Sequence, residues 1–379
     1  MIPRPQYRDF RIICYYLGKV MLGIGLCMLV PLTTGVLFKE WNPCLDFLIG
    51  MMAAFSFGFL LVRVFYTREH IGWMHGMIVA SLSWVAATLL SAVPLYLSGH
   101  FLGFLDTCFD TMSGFATTGL TIIQDLDHVS NAHNMWRHFI MFMGGQGIVV
   151  IALTFLIKTA GSFTMYTGEA RDEKILPNVI YTARFIWLVS LVYLVLGTAA
   201  LAAVGIWEGM PVIRSILHGM WIFMAAWDTG GFAPQSQNVL YYHSLPFEII
   251  TISMMFLGAL NFKLHYAVWT GNRREIFKNI EVVTLFITII TTFSLCAIGL
   301  ARAGIYPEAI SLFRKGFYQV ISGHVGTGYQ TIYSRQFVLE WGGLAMVATT
   351  MAMAFGGSAC STAGGIKALR IGLIFKALC

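Results

Sequence analysis

Asp106-Thr107-Cys108-Phe109-Asp110-Thr111-Met112-Ser113-Gly114-Phe115-Ala116-Thr117-Thr118-Gly119-Leu120-Thr121 lies between two apolar segments, 72–98 and 135–158. Each flanking segment is long enough to cross a bilayer, whereas the quoted stretch is too short and too polar to do so. It is therefore expected to dip in and return. Irregular polar backbone at membrane depth is tolerated only where it is buried in protein or lines a water-filled cavity, so the stretch reads as a half-helix followed by a loop facing a pore.

Composition points the same way. Of 379 residues, 57% are hydrophobic and only 11% charged, with a mean hydropathy of +0.73, which excludes an ordinary soluble protein and predicts an all-α polytopic membrane protein in the lipid bilayer. The net charge of +6 is better read as membrane topology than as nucleic-acid affinity. The seven cysteines show neither CxxC nor paired spacing, so neither a disulfide framework nor a metal cluster is expected. His128, His133 and His138 recur every five residues, not at the i, i+3 or i, i+4 spacing of a helical metal site. Three arginines precede the first apolar run, which lacks a small-residue cleavage site, so the first helix is expected to stay. No convergent acids, bases or metal ligands suggest an enzyme, and no bound cofactor is expected. The glycines within 22–26 and 144–147 read as sites of close helix packing.

Residues 12–37 and 45–67 form an accessory hairpin without a polar re-entrant stretch, assigned to 1–70. From residue 72 the order helix, short segment, helix recurs: 72–98, 104–121 and 135–158; then 183–206, 212–232 and 246–269; then 280–301, 308–329 and a long stretch from 338. The repeats are expected over 71–160, 161–270 (with a cytoplasmic linker) and 271–379. Loop tips at Gly119, Gly231 and Gly328 are 112 and 97 residues apart (231 − 119 and 328 − 231), a period that marks repetition of a whole hairpin unit. Counting lysine and arginine in short loops predicts a cytoplasmic N-terminus and re-entrant loops opening outward, with Lys39, Arg137, Arg214, Arg302, Arg314, Lys315 and Arg335 outside. The segments 168–178 and 271–279 become cytoplasmic surfaces, either docking sites for a soluble partner or solvated turns.

The loops read Ala116-Thr117-Thr118-Gly119-Leu120, Asp228-Thr229-Gly230-Gly231-Phe232 and Val325-Gly326-Thr327-Gly328-Tyr329. A cation entering a membrane exchanges its water shell for other oxygens, and backbone carbonyls are the usual replacement. Pointing those carbonyls one way requires backbone dihedrals that side chains disfavour, hence a glycine at each tip. Taken singly, each loop also has the composition of an ordinary extracellular turn; three at matching places favour a filter. Asp106 and Asp110 lie one helical turn apart as supports for the first half-helix, with Asp110 the better candidate to hold the loop. Asp228 is either a direct cation ligand or a structural anchor. Near the C-terminal end, Gly356, Gly357, Ser358, Ser361, Thr362, Gly364, Gly365 and Lys367 should break a helix in mid-membrane and leave a flexible loop where a gate would sit.

With these motifs in order, the chain resembles the Trk/Ktr/HKT superfamily of potassium transporters, most closely the Trk-type bacterial subunit, because the hairpin precedes the repeats. The matching stretches are 109–121, 144–148, 230–232, 327–329 and 356–367. The resemblance implies repeated helix–pore-loop–helix units around a pseudo-fourfold pore, a K+ filter at the three loops and a gate at 356–367. It further implies a homodimer with a cytoplasmic nucleotide-binding regulatory subunit, in the cell inner membrane. Gly326 and Tyr329 stand where the superfamily more often has threonine and phenylalanine, and Asp228 where it is usually uncharged. Sodium permeation, or symport coupled to sodium or protons, is therefore the alternative. Only three of four expected repeats are present, which reads as truncation before the fourth.

Overall fold

The structure, a computed structural model, describes residues 6–147 and 179–378. The expected cytoplasmic segment 168–178 and the far end of the predicted helix 135–158 lie outside the described residues. The chain divides into two compact units, residues 6–116, 121–147 and 179–188 in one and 117–120 with 189–378 in the other.

The described residues are all-α. Helices long and apolar enough to cross a membrane run over Tyr7–Leu37, Trp41–Val64, Trp73–Leu97, Tyr181–Trp207 and Ile280–Ala303, so the protein is a multi-pass membrane protein. Much of their surface is exposed Leu, Ile, Val and Phe, as expected of side chains that meet lipid rather than water.

In the first unit the accessory hairpin closes through glycine. A Cβ at Gly18 would lie 2.9 Å from the Gly58 carbonyl oxygen, and one at Gly58 would lie 2.9 Å from the Gly18 oxygen, the close backbone approach that small residues allow between membrane helices. The hairpin turn also serves the rest of its unit. Glu40 accepts hydrogen bonds from the Asn131 and Ala132 amides at 2.9 Å, which caps the Asn131–Gln146 helix at its partially positive end.

Three short helices, Phe104–Phe115, Val212–Trp227 and Ala309–His324, each follow a long apolar helix. All three stop the same way: the next residue's amide still bonds back four residues, Ala116 to Met112 at 2.7 Å, Asp228 to Met224 at 3.2 Å and Val325 to Ile321 at 3.0 Å, after which the chain leaves the helix.

The structure corrects one predicted helix. Residues 246–269 form two helices, Leu245–Gly258 and Phe262–Trp269, bent by 101°. Asn261 caps the second by accepting from the Lys263 amide at 2.8 Å, while the Leu257 carbonyl oxygen at the end of the first accepts from the Leu260 amide at 3.2 Å and lies 3.0 Å from His265 Nε2. Helices therefore stop at matching places after each loop: Gln146, Gly258 and Ala354.

Candidate functional site

The loops that leave the short helices share one backbone. Thr117, Thr229 and Gly326 take φ of +50°, +50° and +81°, and two residues later Gly119, Gly231 and Gly328 take +77°, +80° and +80°. A left-handed threonine costs about 1–3 kcal/mol and persists only where its surroundings impose it. In the second loop the Thr229 amide bonds to Ala226 at 3.2 Å, and the Gly230 and Gly231 amides to Ala225 at 2.9 and 3.3 Å. The third loop repeats this, Gly326 bonding to Gly323 at 3.0 Å and Thr327 and Gly328 to Ser322 at 2.9 and 3.3 Å.

These bonds aim the carbonyls. In a trans peptide the N–H and the preceding C=O point in opposite directions. Amides turned back onto the helix end therefore turn the carbonyls of Asp228, Thr229 and Gly230, and of Val325, Gly326 and Thr327, away from it. The partially negative end of each short helix lies directly behind its loop, so the arrangement favours a cation in front.

The loops also fit edge to edge. A Cβ at Gly119 would fall 1.8 Å from the Gly230 oxygen, and one at Gly231 would fall 1.9 Å from the Thr327 oxygen. Behind them, the helix after each of the first two loops presses a glycine onto the end of its short helix: a Cβ at Gly144 or Gly258 would lie 1.9 Å from the oxygen of Phe115 or Trp227. This gives Gly144 of the 144–147 cluster its physical reason.

Among the charged candidates, Asp110 is wholly buried and its Oδ2 accepts from Arg137 Nε at 3.2 Å. Arg137, counted above among the cations on the outer side, is a buried helix residue with no exposed surface. Asp106 does not share Asp110's environment; it lines a cavity of ≈ 500 Å³ with His100, Gln124 and Asp125. Asp228 is wholly buried at the start of the second loop, where its carbonyl accepts from the Thr229 hydroxyl at 2.8 Å.

Sequence reasoning missed Glu248. It is 3% exposed and accepts a two-pronged contact from Arg314, Nε to Oε2 at 2.6 Å and Nη2 to Oε1 at 2.8 Å, joining the helix after the second loop to the third short helix. An acidic residue inside the apolar run 246–269 was the available signal.

The glycine-rich segment forms a loop between the Gly342–Ala354 and Ala368–Leu378 helices. Its neck is stapled by the Gly356 amide to the Ile366 oxygen at 2.9 Å and the Ile366 amide to the Ala354 oxygen at 3.0 Å. A Cβ at Gly356 would lie 1.9 Å from the Gly364 oxygen, so this neck closes only on glycine. The tip reaches the second loop: the Thr362 hydroxyl lies 3.0 Å from the Trp227 oxygen and 2.9 Å from the Gly258 oxygen. The loop is held further by the Ser358 amide on the Ala259 oxygen at 2.9 Å and by the Ala359 amide on Glu281 Oε1 at 2.7 Å. Gly357 packs into this contact, Ser361 donates to the Ser358 oxygen at 2.6 Å, and Lys367 folds back onto the Ala363 oxygen. The segment expected to be a gate thus packs against the end of the second short helix and the helix after the second loop.

Comparison with known proteins supplies relatives. The family model TrkH, described as cation transport protein, matches residues 45–290. The chain is 30% identical over 380 residues to an uncharacterized cation transporter of Methanocaldococcus jannaschii, covering all of this chain and 74% of that protein. It is 28% identical over 382 residues to the Trk system potassium uptake protein TrkG of Escherichia coli, covering 97% and 74%. Among solved structures, the potassium transporter TrkH from Vibrio parahaemolyticus superposes with a TM-score of 0.80 at 24% identity, over 97% of this chain and 74% of that one.

Proposed function

This chain belongs to the TrkH family of cation transport proteins, and from that membership we propose that it takes up potassium across the cytoplasmic membrane through a carbonyl-lined filter built from residues 116–120, 228–232 and 325–329. The observation that carries the proposal is the repeated dihedral pattern, left-handed at 117, 229 and 326 and again at 119, 231 and 328. Helix-tied amides behind it leave rows of oxygens free to replace water around a cation. Relatives named as potassium uptake proteins support potassium as the ion. These relatives are transporters, which supports a chain that performs no catalysis.

The loop 356–367 is assigned the role of gate, because its tip bonds to carbonyls at the foot of the second loop. The naming of relatives as parts of a Trk system supports a further subunit as partner; that this subunit is cytoplasmic and binds nucleotide, and that the chain forms a homodimer, is proposed from the family resemblance. The lysine and arginine distribution supports a cytoplasmic N-terminus. Symport coupled to sodium or protons is the second reading, favoured by the fully buried carboxyl group of Asp228 beside the second loop.

Uptake of radioactive rubidium and sodium into liposomes carrying the protein as the cell makes it tests the proposal. Rubidium uptake exceeding sodium uptake, dissipated by collapse of the rubidium gradient alone, is expected. Uptake that requires an inwardly directed sodium or proton gradient selects the symport. Absence of rubidium uptake under every gradient removes the pore.

A further inference from the structure

Tyr329 ends the third loop, and its ring is wholly buried. Its hydroxyl lies 3.0 Å from the carbonyl oxygen of Ile222 and 3.1 Å from that of Phe232. Ile222 belongs to the second short helix, and Phe232 is the last residue of the second loop. One side chain from the third loop therefore touches both the helix behind the second loop and that loop's outer end. The residues at the same place in the other two loops, Leu120 and Phe232, carry no hydroxyl.

We infer that Tyr329 is a positioning residue for ion selectivity, its hydroxyl setting the spacing between the second and third loops. This inference rests on the filter reading above. Two contacts fix the loops relative to each other. One is the approach of Gly231 to the Thr327 oxygen, which sets a minimum distance. The other is the Tyr329 hydroxyl, which sets a maximum by holding the Phe232 carbonyl. In chain order both lie at the end of the loops away from the short helices, past the carbonyls of Thr229, Gly230 and Gly326. Loops tied together there keep their oxygens at the radius of the larger cation and resist closing around a smaller one, whereas loops free at that end accommodate both. The phenol suits this task, because its rigid ring reaches across the gap with few rotatable bonds and its donor is satisfied only in this geometry.

The test is the ratio of rubidium to sodium uptake in liposomes for the protein as the cell makes it, comparing wild type, Tyr329→Phe and Tyr318→Phe. Tyr318 is equally buried and also bonds through its hydroxyl, but to the Thr251 side chain at 3.0 Å rather than to a loop carbonyl. Because the ratio is taken within one vesicle preparation, it does not depend on how much protein inserts. Tyr329→Phe is expected to lower the rubidium-to-sodium ratio by roughly two- to tenfold, the range one hydrogen bond spans, while Tyr318→Phe keeps the wild-type ratio. An unchanged ratio for Tyr329→Phe, or an equal fall in both variants, overturns the inference. If wild type itself passes no rubidium, it is the filter reading that fails.

Discussion

Arg137 Nε lies 3.2 Å from Asp110 Oδ2, and neither side chain has any exposed surface. Two charges so deeply placed are stable only together, since removing one leaves the other desolvated without its counter-charge. Asp110→Ala is expected to destabilise the protein by roughly 3–5 kcal/mol. The double variant Asp110→Leu with Arg137→Met should recover most of that loss. Thermal unfolding in detergent, followed by size-exclusion elution, measures both; a single variant as stable as wild type would remove the structural role of the pair.

The loop-tip glycines make a sharper demand. Alanine at Gly119 or Gly231 would place its Cβ 1.8 or 1.9 Å from a neighbouring loop's carbonyl oxygen, and that neighbour is backbone that cannot step aside. Each substitution also puts a side chain on a residue with φ near +80°. Both variants are expected to insert normally and lose rubidium uptake by at least about a hundredfold, as two loops are forced apart. Gly343→Ala serves as the control, with no atom within 4 Å of the added carbon. Near-normal uptake by Gly231→Ala would show that the loops do not act as a close-fitted set.

Much of this was legible in sequence because chemistry at a loop tip is local. Glycine at 119, 231 and 328 marks backbone that other residues avoid, and the structure gives each a positive φ. Gly326, which looked like a departure, occupies the left-handed position where Thr117 and Thr229 accept strain. What stayed hidden depends on pairs distant in the chain. Arg137 was counted as an outer-side charge because a lone arginine near a segment end looks the same whether it faces water or Asp110. The bend after Gly258 falls on Ala259-Leu260-Asn261, with neither proline nor a further glycine to mark it; His265 from the following helix reaches back to the broken end. Glu248 and Arg314 are 66 residues apart, and nothing local announces the match.

That pair carries its own prediction. Arg314 meets Glu248 through two nitrogens at 2.6 and 2.8 Å, a geometry that a planar guanidinium offers and an ammonium does not. Arg314→Lys is therefore not conservative and should cost about 1–2 kcal/mol of stability. Lys315, 3.8 Å from the same carboxylate, is already engaged with the Thr331 oxygen at 2.7 Å and offers no substitute. Detergent melting curves of Arg314→Lys and Arg314→Ala decide the matter: equal melting temperatures for the lysine variant and wild type would mean charge alone suffices.

The loop at 356–367 is held at two points. The Thr362 hydroxyl bonds to carbonyls of Trp227 and Gly258, and Glu281 accepts from the Ala359 amide at 2.7 Å. Thr362→Val keeps the shape and removes the first; Glu281→Gln keeps an acceptor oxygen but removes the charge that strengthens the second. If the loop is a gate, each contact favours the closed state, and losing one raises the open fraction by roughly two- to tenfold when that state is rare. Basal rubidium uptake without any cytoplasmic partner should therefore rise in Thr362→Val and rise less in Glu281→Gln, and the double variant measures how far the two contacts are coupled. Uptake that falls in both variants would instead assign these contacts to holding the second filter loop in shape, since Trp227 immediately precedes Asp228 and the filter backbone hangs from it.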